Sequence, residues 1–559
     1  MAERDYYRYK RIRDPVHGDI GLSAAEVKII NTPEFQRLRG IKQLGLVELV
    51  YPGATHHRFI HCLGTVHIVQ QAFDALLADP KSKQNIEHLS RDRYGSDGID
   101  TIRKIIRFAA LLHDLGHVPF SHTLEDETNI LSGNDEHENR TLQMIENSDV
   151  IRETLGSLGE EVKRVITGTH QLSFMNDLVG NTISADLLDY LSRDLFFTGL
   201  QGRGFDKRIL EYFGVDEKGR FYINLFRGGR ERIDVRSELV HILRTRYELA
   251  EKVYYHHAKV AADAMFAKAF WRAKELGEIT EDRLRGLTDS ELLSLLEQSK
   301  DPVVRKLIEM LRARRLYKVT YMQRAPSADI TLLKPYHGYP QKREELENQL
   351  AQEAGLDAGD VVIFCPDPDM QLKEAAVHVL WYKRNVEAGG IEQRIEPFKD
   401  IKPDLGNPIE LHKAELDLII KMHQALWSFI IFVHPAKYRM FTYALSIEDF
   451  CKEKWPHIGN LLRFLDPVRE EGEWVKYDRL RKLCEDVGDK ERLTTREKKL
   501  VEKRLVEEIV RRNMPLEELY DLPENELKLR IEGIAKSVKE SAQGIPLIKE
   551  KEIRRQDTI

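Results

Sequence analysis

The sequence predicts a mainly α fold, followed by a smaller α+β lobe and a charged helical extension at the carboxy end. Three observations carry this. Apolar residues recur at three- and four-residue steps through most of residues 1–320. Between about 320 and 440, short β-branched and aromatic runs are bounded by Gly, Pro or Asp. Beyond 440 the chain is charged and helical again. At 559 residues it exceeds what one hydrophobic core holds, and the expected divisions are 1–320, 321–440 and 441–559.

Taken in order, "NTP" at 31–33 reads as a helix entry with Pro33 at an early helical position. "PEFQRLRGIKQLG", "GTVHIVQQAFDALLAD" and "TIRKIIRFAALLHDLG" follow as amphipathic helices. The segment from Arg236 to Leu276 contains neither Gly nor Pro and reads as one long helix. "GDVVIFCPDPD", "AAVHVLWYK" and "SFIIFVHPAKY" are the expected strands. In the extension, Leu500, Val501, Leu505, Val506, Ile509 and Val510 form one apolar stripe.

Composition narrows the class. With 42% hydrophobic and 32% charged residues, a packed core is expected and global disorder is not. A formal net charge of −6 leaves phosphate binding to local basic clusters. Nucleic acid stays open as a partner, with no global feature pointing to it. Cys62, Cys365, Cys451 and Cys484 lie far apart with no CxxC pair, which favours a reducing compartment over a disulfide or Cys-based zinc framework. The amino terminus has no apolar signal core, and "LWSFIIFVH" at 426–434 is half a membrane span. A cytoplasmic protein without a membrane partner is expected.

"LLHDLGHVPFSH" at 111–122 concentrates His113, Asp114, His117 and His122 at the end of an apolar run. His117 follows His113 by four residues, hence one helical face if the helix continues that far, but Gly116 and Pro119 suggest that it soon ends and leaves His122 on a turn. Imidazole and carboxylate suit divalent Zn, Mn, Fe, Ni or Mg. Three further segments add candidates. "HHRFIHCLGTVH" holds Arg58 and His61, and "DEHEN" holds His137 among carboxylates. "ISADLLDYLSRD" sets Asp186, Tyr190 and Asp194 along one helical face. That spacing alone does not separate a site from a charged surface.

The order His61, His113-Asp114, Asp186 resembles the metal-binding signature of the HD-domain metal-dependent phosphohydrolases. "DPVHGDIGLS", "TPEFQRLRGIKQLG", "YPGATHHRFIHCLG", "HDLGHVPFSH" and "DYLSRD" resemble, in that order, motifs of the SAM-and-HD-domain deoxynucleoside triphosphate triphosphohydrolases and their bacterial relatives, without a SAM domain ahead of residue 10. The resemblance implies a helical HD-domain core and one divalent ion held by His61, His113, Asp114 and Asp186. It makes His117, His122 and His137 phosphate or proton-transfer groups, with His137 the general acid beside Glu136 or Glu138. Arg58 and Arg246 would clamp phosphates. Tyr190, Asp194, Tyr254 and His256 would contact the sugar, and Gln43 and Leu44 complete the implied substrate contacts. Leu187 stands where eukaryotic members carry Lys, which removes one phosphate cation.

The resemblance also implies a homo-oligomer, dimer or tetramer, and an effector site from Lys10, Arg11, Asn31, Gln36, Arg39, Arg208, Arg314 and Lys318. Asn31 replaces an expected Asp, which mismatches one guanine N–H, so activation by GTP is not expected. The leading function is hydrolysis of dNTP to deoxynucleoside and triphosphate. The alternatives are an HD phosphohydrolase of other nucleotides or single-stranded nucleic acid, and a nucleotide-binding regulatory protein.

Overall fold

The apolar periodicities resolve into helices in a computed structural model, and the fold is mainly α. The described residues are 9–124, 130–131, 137–227, 230–324, 333, 335–337, 339–353, 356–366, 373–385, 390–401 and 409–438, with 483–484, 486–493, 498, 501 and 523–543 near the carboxy end. The chain divides into two compact units. One is Met1–Arg439 with Ile447–Leu462, and the other is Met440–Ser446 with Arg463–Ile559. No helix among the described residues is long and apolar enough to cross a membrane.

In the first unit, helix Arg58–Ala78 is the central element. It packs against Gly98–Leu112 on one flank and Ala185–Thr198 on the other. Its buried residues include Phe59, Leu63, Gly64, Ile68, Ala72, Phe73 and Leu76, spread around the cylinder, as expected of a helix enclosed by others. An antiparallel hairpin, Lys10–Asp14 with Gly18–Leu22, precedes the helices. The spacing of apolar residues did not reveal this hairpin, because its strands are short and its outer face polar.

All three expected strands form. Val361–Phe364 and Lys318–Arg324 flank Ser428–Val433, whose six residues are all buried. His378–Asn385 lies between Gly390–Pro397 and Phe221–Asn224, and Phe213–Val215 completes that sheet. The pairing of Ile223 with Val379 puts segments on either side of residue 320 in one sheet.

One helix expectation needs correction. The stretch from Arg236 to Leu276 is not continuous. Helix Ile233–Leu249 ends in a π turn, Ala250–Tyr254, and a new helix starts at His257. No Gly or Pro marks the break. Tertiary contact makes it: the Tyr254 hydroxyl donates to Asp194 at 2.6 Å, and His256 Nδ1 accepts from the Ala258 amide. Helix Gly98–Leu112 stops before His117, with His113 as its cap, in keeping with the stop that Gly116 and Pro119 suggest. Gly116 explains why. The Gly116 amide donates to Thr141 Oγ1, and a Cβ there would lie 2.3 Å from the His137 carbonyl oxygen. The approach of helix His137–Asn147 takes the chain out of the helical path.

In the second unit, Leu527, Ile531, Ala535 and Val538 of helix Glu524–Gln543 cluster with Leu483, Cys484, Val487, Leu493 and Val501. Of the stripe read from sequence, Val501 is buried, and Leu500, Leu505, Val506, Ile509 and Val510 lie outside the described residues.

A buried ion pair fastens the hairpin region to the helix that ends in His113. Ser23 and Glu26 form a capping box, and the same Glu26 carboxylate takes both Arg107 Nε and Nη2, at 2.7 and 2.8 Å. Arg107 also donates to the Gly21 carbonyl. Both side chains are 2% exposed. Arg107→Ala strands a buried carboxylate and is expected to cost about 3–5 kcal/mol. Denaturant unfolding checks this, and an unchanged midpoint would refute it.

Candidate metal centre and substrate cavity

Three helices deliver the metal donors. His61 lies in the first turn of Arg58–Ala78, His113 caps Gly98–Leu112, and Asp186 lies in the first turn of Ala185–Thr198. One donor atom from each falls within 4.8 Å of the other two. His61 Nε2 is 3.0 Å from Asp186 Oδ1 and 3.3 Å from His113 Nε2.

The other ring nitrogens are already engaged. His61 Nδ1–H donates to Asp189 Oδ2 at 2.7 Å, and His113 Nδ1–H donates to the Ala110 carbonyl at 2.9 Å. With Nδ1–H so engaged, Nε2 is the nitrogen that each ring turns toward a common point, and its deprotonation gives the tautomer that a metal requires. Asp114 borders this group without converging on it. Its oxygens are 3.4–3.7 Å from the two imidazoles, while Arg58 donates to Oδ2 at 2.6 Å and His117 Nε2 lies 3.1 Å from Oδ1. Two imidazoles and nearby carboxylates fit a divalent ion.

Electrostatics points the same way. Burial opposes a proton on His61, yet hydrogen bonds to Asp186 and Asp189 carry its pKa up to about 10. His113 is also raised, burial being outweighed by the charges of Asp114 and Asp186. Burial pushes Asp186 and Asp114 up, but the imidazoles hold the first, and chiefly Arg58 the second, below the usual carboxylate range. His117 differs: burial, then the Arg58 and His137 charges, press it well below the ordinary imidazole value.

The centre opens on a cavity of about 1010 Å³. Arg58, His117, His137, Gln43, Leu44, Tyr190, Asp194, Arg246 and Tyr254, all read from the sequence, line it with the metal donors. His137 stacks on His117 with ring centroids 4.2 Å apart, and its Nδ1 is 3.3 Å from Glu138. Arg246 lies over both Tyr190 and Tyr254 at about 5.5 Å. His256 is off the lining: it caps the restarted helix and meets Tyr51 edge-on. The backbone of His122 lies in helix Ser121–Leu124; its side chain and Glu136 fall outside the described residues. Leu187 is buried in the apolar core, so that position supplies no cation to the cavity.

Sequence reasoning missed several groups. His56 Nε2 bonds Asp194 Oδ1 at 2.8 Å and stacks on Phe197, which fixes the carboxylate that Tyr254 also contacts. Lys259 lines the cavity, paired with the buried Asp263, which Thr123 also contacts. Asp189 was passed over in "ISADLLDYLSRD", although its i,i+4 relation to Arg193 was a legible signal.

Among the implied effector residues, Arg39 Nε donates to Gln36 Oε1, and Gln36 Nε2 donates to the Ile30 carbonyl. Asn31 caps helix Ala24–Ile30, and Lys10 and Arg11 lie on an exposed strand. Arg208 is 3.8 Å from Asp234, Arg314 donates to the Leu49 carbonyl, and Lys318 opens its strand.

Comparison with known proteins agrees with this architecture. Residues 58–194 match the HD domain and 240–388 the HD associated region, which makes this an HD-domain protein. The chain is 30% identical over 329 residues to a deoxynucleoside triphosphate triphosphohydrolase SAMHD1 homolog of Dictyostelium discoideum, 55% of this chain and 59% of that one. It is 28% identical over 430 residues to the human deoxynucleoside triphosphate triphosphohydrolase SAMHD1, 67% of this chain and 65% of that one. The chain thus spans under two thirds of either relative. A phosphohydrolase structure from Bacteroides thetaiotaomicron shares the fold, with TM-score 0.53 and 24% identity over 76% of this chain and 99% of that one.

The raised pKa values of His61 and His113 put metal loading in competition with protons. Affinity for Mn²⁺ is therefore expected to rise between about pH 6 and pH 8, measurable by calorimetry in buffers of different ionisation heat. An affinity flat across that range would contradict the arrangement. Removing a donor in His61→Ala, His113→Ala or Asp186→Ala should abolish bound metal in elemental analysis.

Proposed function

We propose that this protein is a metal-dependent nucleotide phosphohydrolase that cuts deoxynucleoside triphosphates to deoxynucleoside and inorganic triphosphate. The observation that carries this is one cavity joining a His61–His113–Asp186 donor group to cationic walls and to a Tyr190–Asp194–Tyr254 corner. Polyphosphate needs the first two features, and a sugar fits the third.

A divalent ion held by His61, His113 and Asp186, with Asp114 beside it, would supply a charge on a phosphate oxygen and acidify a water. The protein's own groups account for the rest. Water adds to the α-phosphorus while the bond from that phosphorus to the 5′-oxygen breaks. His137, half-buried on the cavity wall beside Glu138, gives the proton to the departing 5′-oxygen. His117 holds Asp114 and supports the His137 ring from behind. Arg58, Arg246 and Lys259 neutralise the chain of phosphates.

At the opposite corner Asp194 is pinned by His56 and Tyr254 and faces the 3′-hydroxyl. The Tyr254 ring takes the room that a 2′-hydroxyl needs. Relatives described as deoxynucleoside triphosphate triphosphohydrolases support this choice of substrate. We extend the same reading to a homo-oligomeric assembly, with GTP activation unexpected because of Asn31.

Incubation of metal-loaded protein with each dNTP and NTP, resolved by anion exchange, tests the reading. Inorganic triphosphate is the expected product, with deoxynucleotides preferred over ribonucleotides by at least about tenfold. Release of inorganic phosphate alone, or equal rates on ATP and dATP, would overturn it in favour of a broader phosphohydrolase. His137→Asn should lower kcat by about 10²–10⁴. Full turnover in that variant would remove His137 from the proton path.

A further inference from the structure

The motif "DPVHGD" near the amino terminus has no role in the chemistry above, yet its histidine reaches the carboxylate that holds His61. Asp14 begins the arrangement. Its Oδ1 accepts from the Val16 and His17 amides at 2.9 and 2.8 Å, while Oδ2 takes Arg193 Nη1 at 2.8 Å. This fixes the hairpin turn, which Gly18 closes at φ +78°. The turn then inserts His17, whose Nε2 is 2.6 Å from Asp189 Oδ1 with both side chains at most 3% exposed.

Asp189 is the carboxylate that receives His61 Nδ1–H. Its four contacts divide evenly: Oδ2 accepts from His61 and Arg193 Nε, and Oδ1 from His17 and Arg193 Nη2. We propose that His17 is a positioning residue for the metal ligand His61. By donating to Asp189 it fixes the carboxylate that holds His61 in the tautomer and orientation that aim Nε2 at the ion. The role rests on the metal-centre reading but not on the identity of the substrate. A packing role alone would need only the ring's bulk, stacked on His67 at 5.3 Å. A positioning role needs the N–H.

The test compares His17→Gln, whose amide N–H can take the place of Nε2–H, with His17→Leu, which keeps bulk without a donor. The full chain is stripped with chelator, and Mn²⁺ affinity is measured by EPR titration, with Co²⁺ absorption reporting the ligand geometry. His17→Leu should weaken Mn²⁺ by about 10–100-fold and alter the Co²⁺ bands, and His17→Gln should stay close to wild type. Should His17→Leu fail to fold, His17→Asn, a donor one methylene shorter, replaces it with the same expected loss. Affinity in the donor-lacking variant equal to wild type, or an equal loss in His17→Gln, would overturn the proposal. Wild-type protein that binds neither ion would overturn the metal centre itself, and this role with it.

Discussion

Asp189 is the residue on which the rest of the site depends. A carboxylate with no measurable exposure persists in a protein interior only when its charge is met by donors on all sides. Here Arg193, His61 and His17 meet it. The helix Ala185–Thr198, the central helix Arg58–Ala78 and the amino-terminal hairpin are thereby tied to one point. Burial pushes its pKa up, but Arg193 and the two histidines hold it well below the usual range. The metal ligand His61 inherits its orientation from that anion.

The network also dictates spacing. A Cβ on Gly64 would lie 1.8 Å from Asp189 Oδ1 and 2.4 Å from Arg193 Nη2, so the central helix approaches only because position 64 has no side chain. Gly116 plays the matching part on the far side of the centre, where it admits the start of the helix that carries His137. Two close approaches made by glycine therefore set where the metal donors and the proton donor stand. The glycines in "HCLG" and "HDLG" belong to the site as much as the histidines beside them.

Much of this was legible in the sequence, for identifiable reasons. Amphipathic helices and buried strands write their period into the chain, which is why Gly98–Leu112 and Ser428–Val433 could be read directly. Metal donors were legible because His-Asp pairs combine with ordered motifs. What escaped notice was set by tertiary contact. The hairpin Lys10–Leu22 is short and polar outside, and Asp189 and His56 act through other side chains rather than on a ligand. The π turn at Ala250–Tyr254 breaks a segment whose local composition favours helix throughout.

That π turn connects with the helix bearing Asp186 and Asp194. These residues are eight positions apart, so the axis sets them roughly 12 Å from each other, with Tyr190 between them on the same face. The first belongs to the metal end of the cavity and the second to its Tyr254 corner. A continuous helix through Tyr254 would keep the ring in ordinary register. The extra residue of the π turn instead presents the hydroxyl to Asp194, and Arg246 is left over both tyrosine rings. The loss of regular hydrogen bonding is offset by a charge-assisted bond of 2.6 Å in a buried corner. One straight helix thus fixes the length of the cavity, and one distorted helix closes its end.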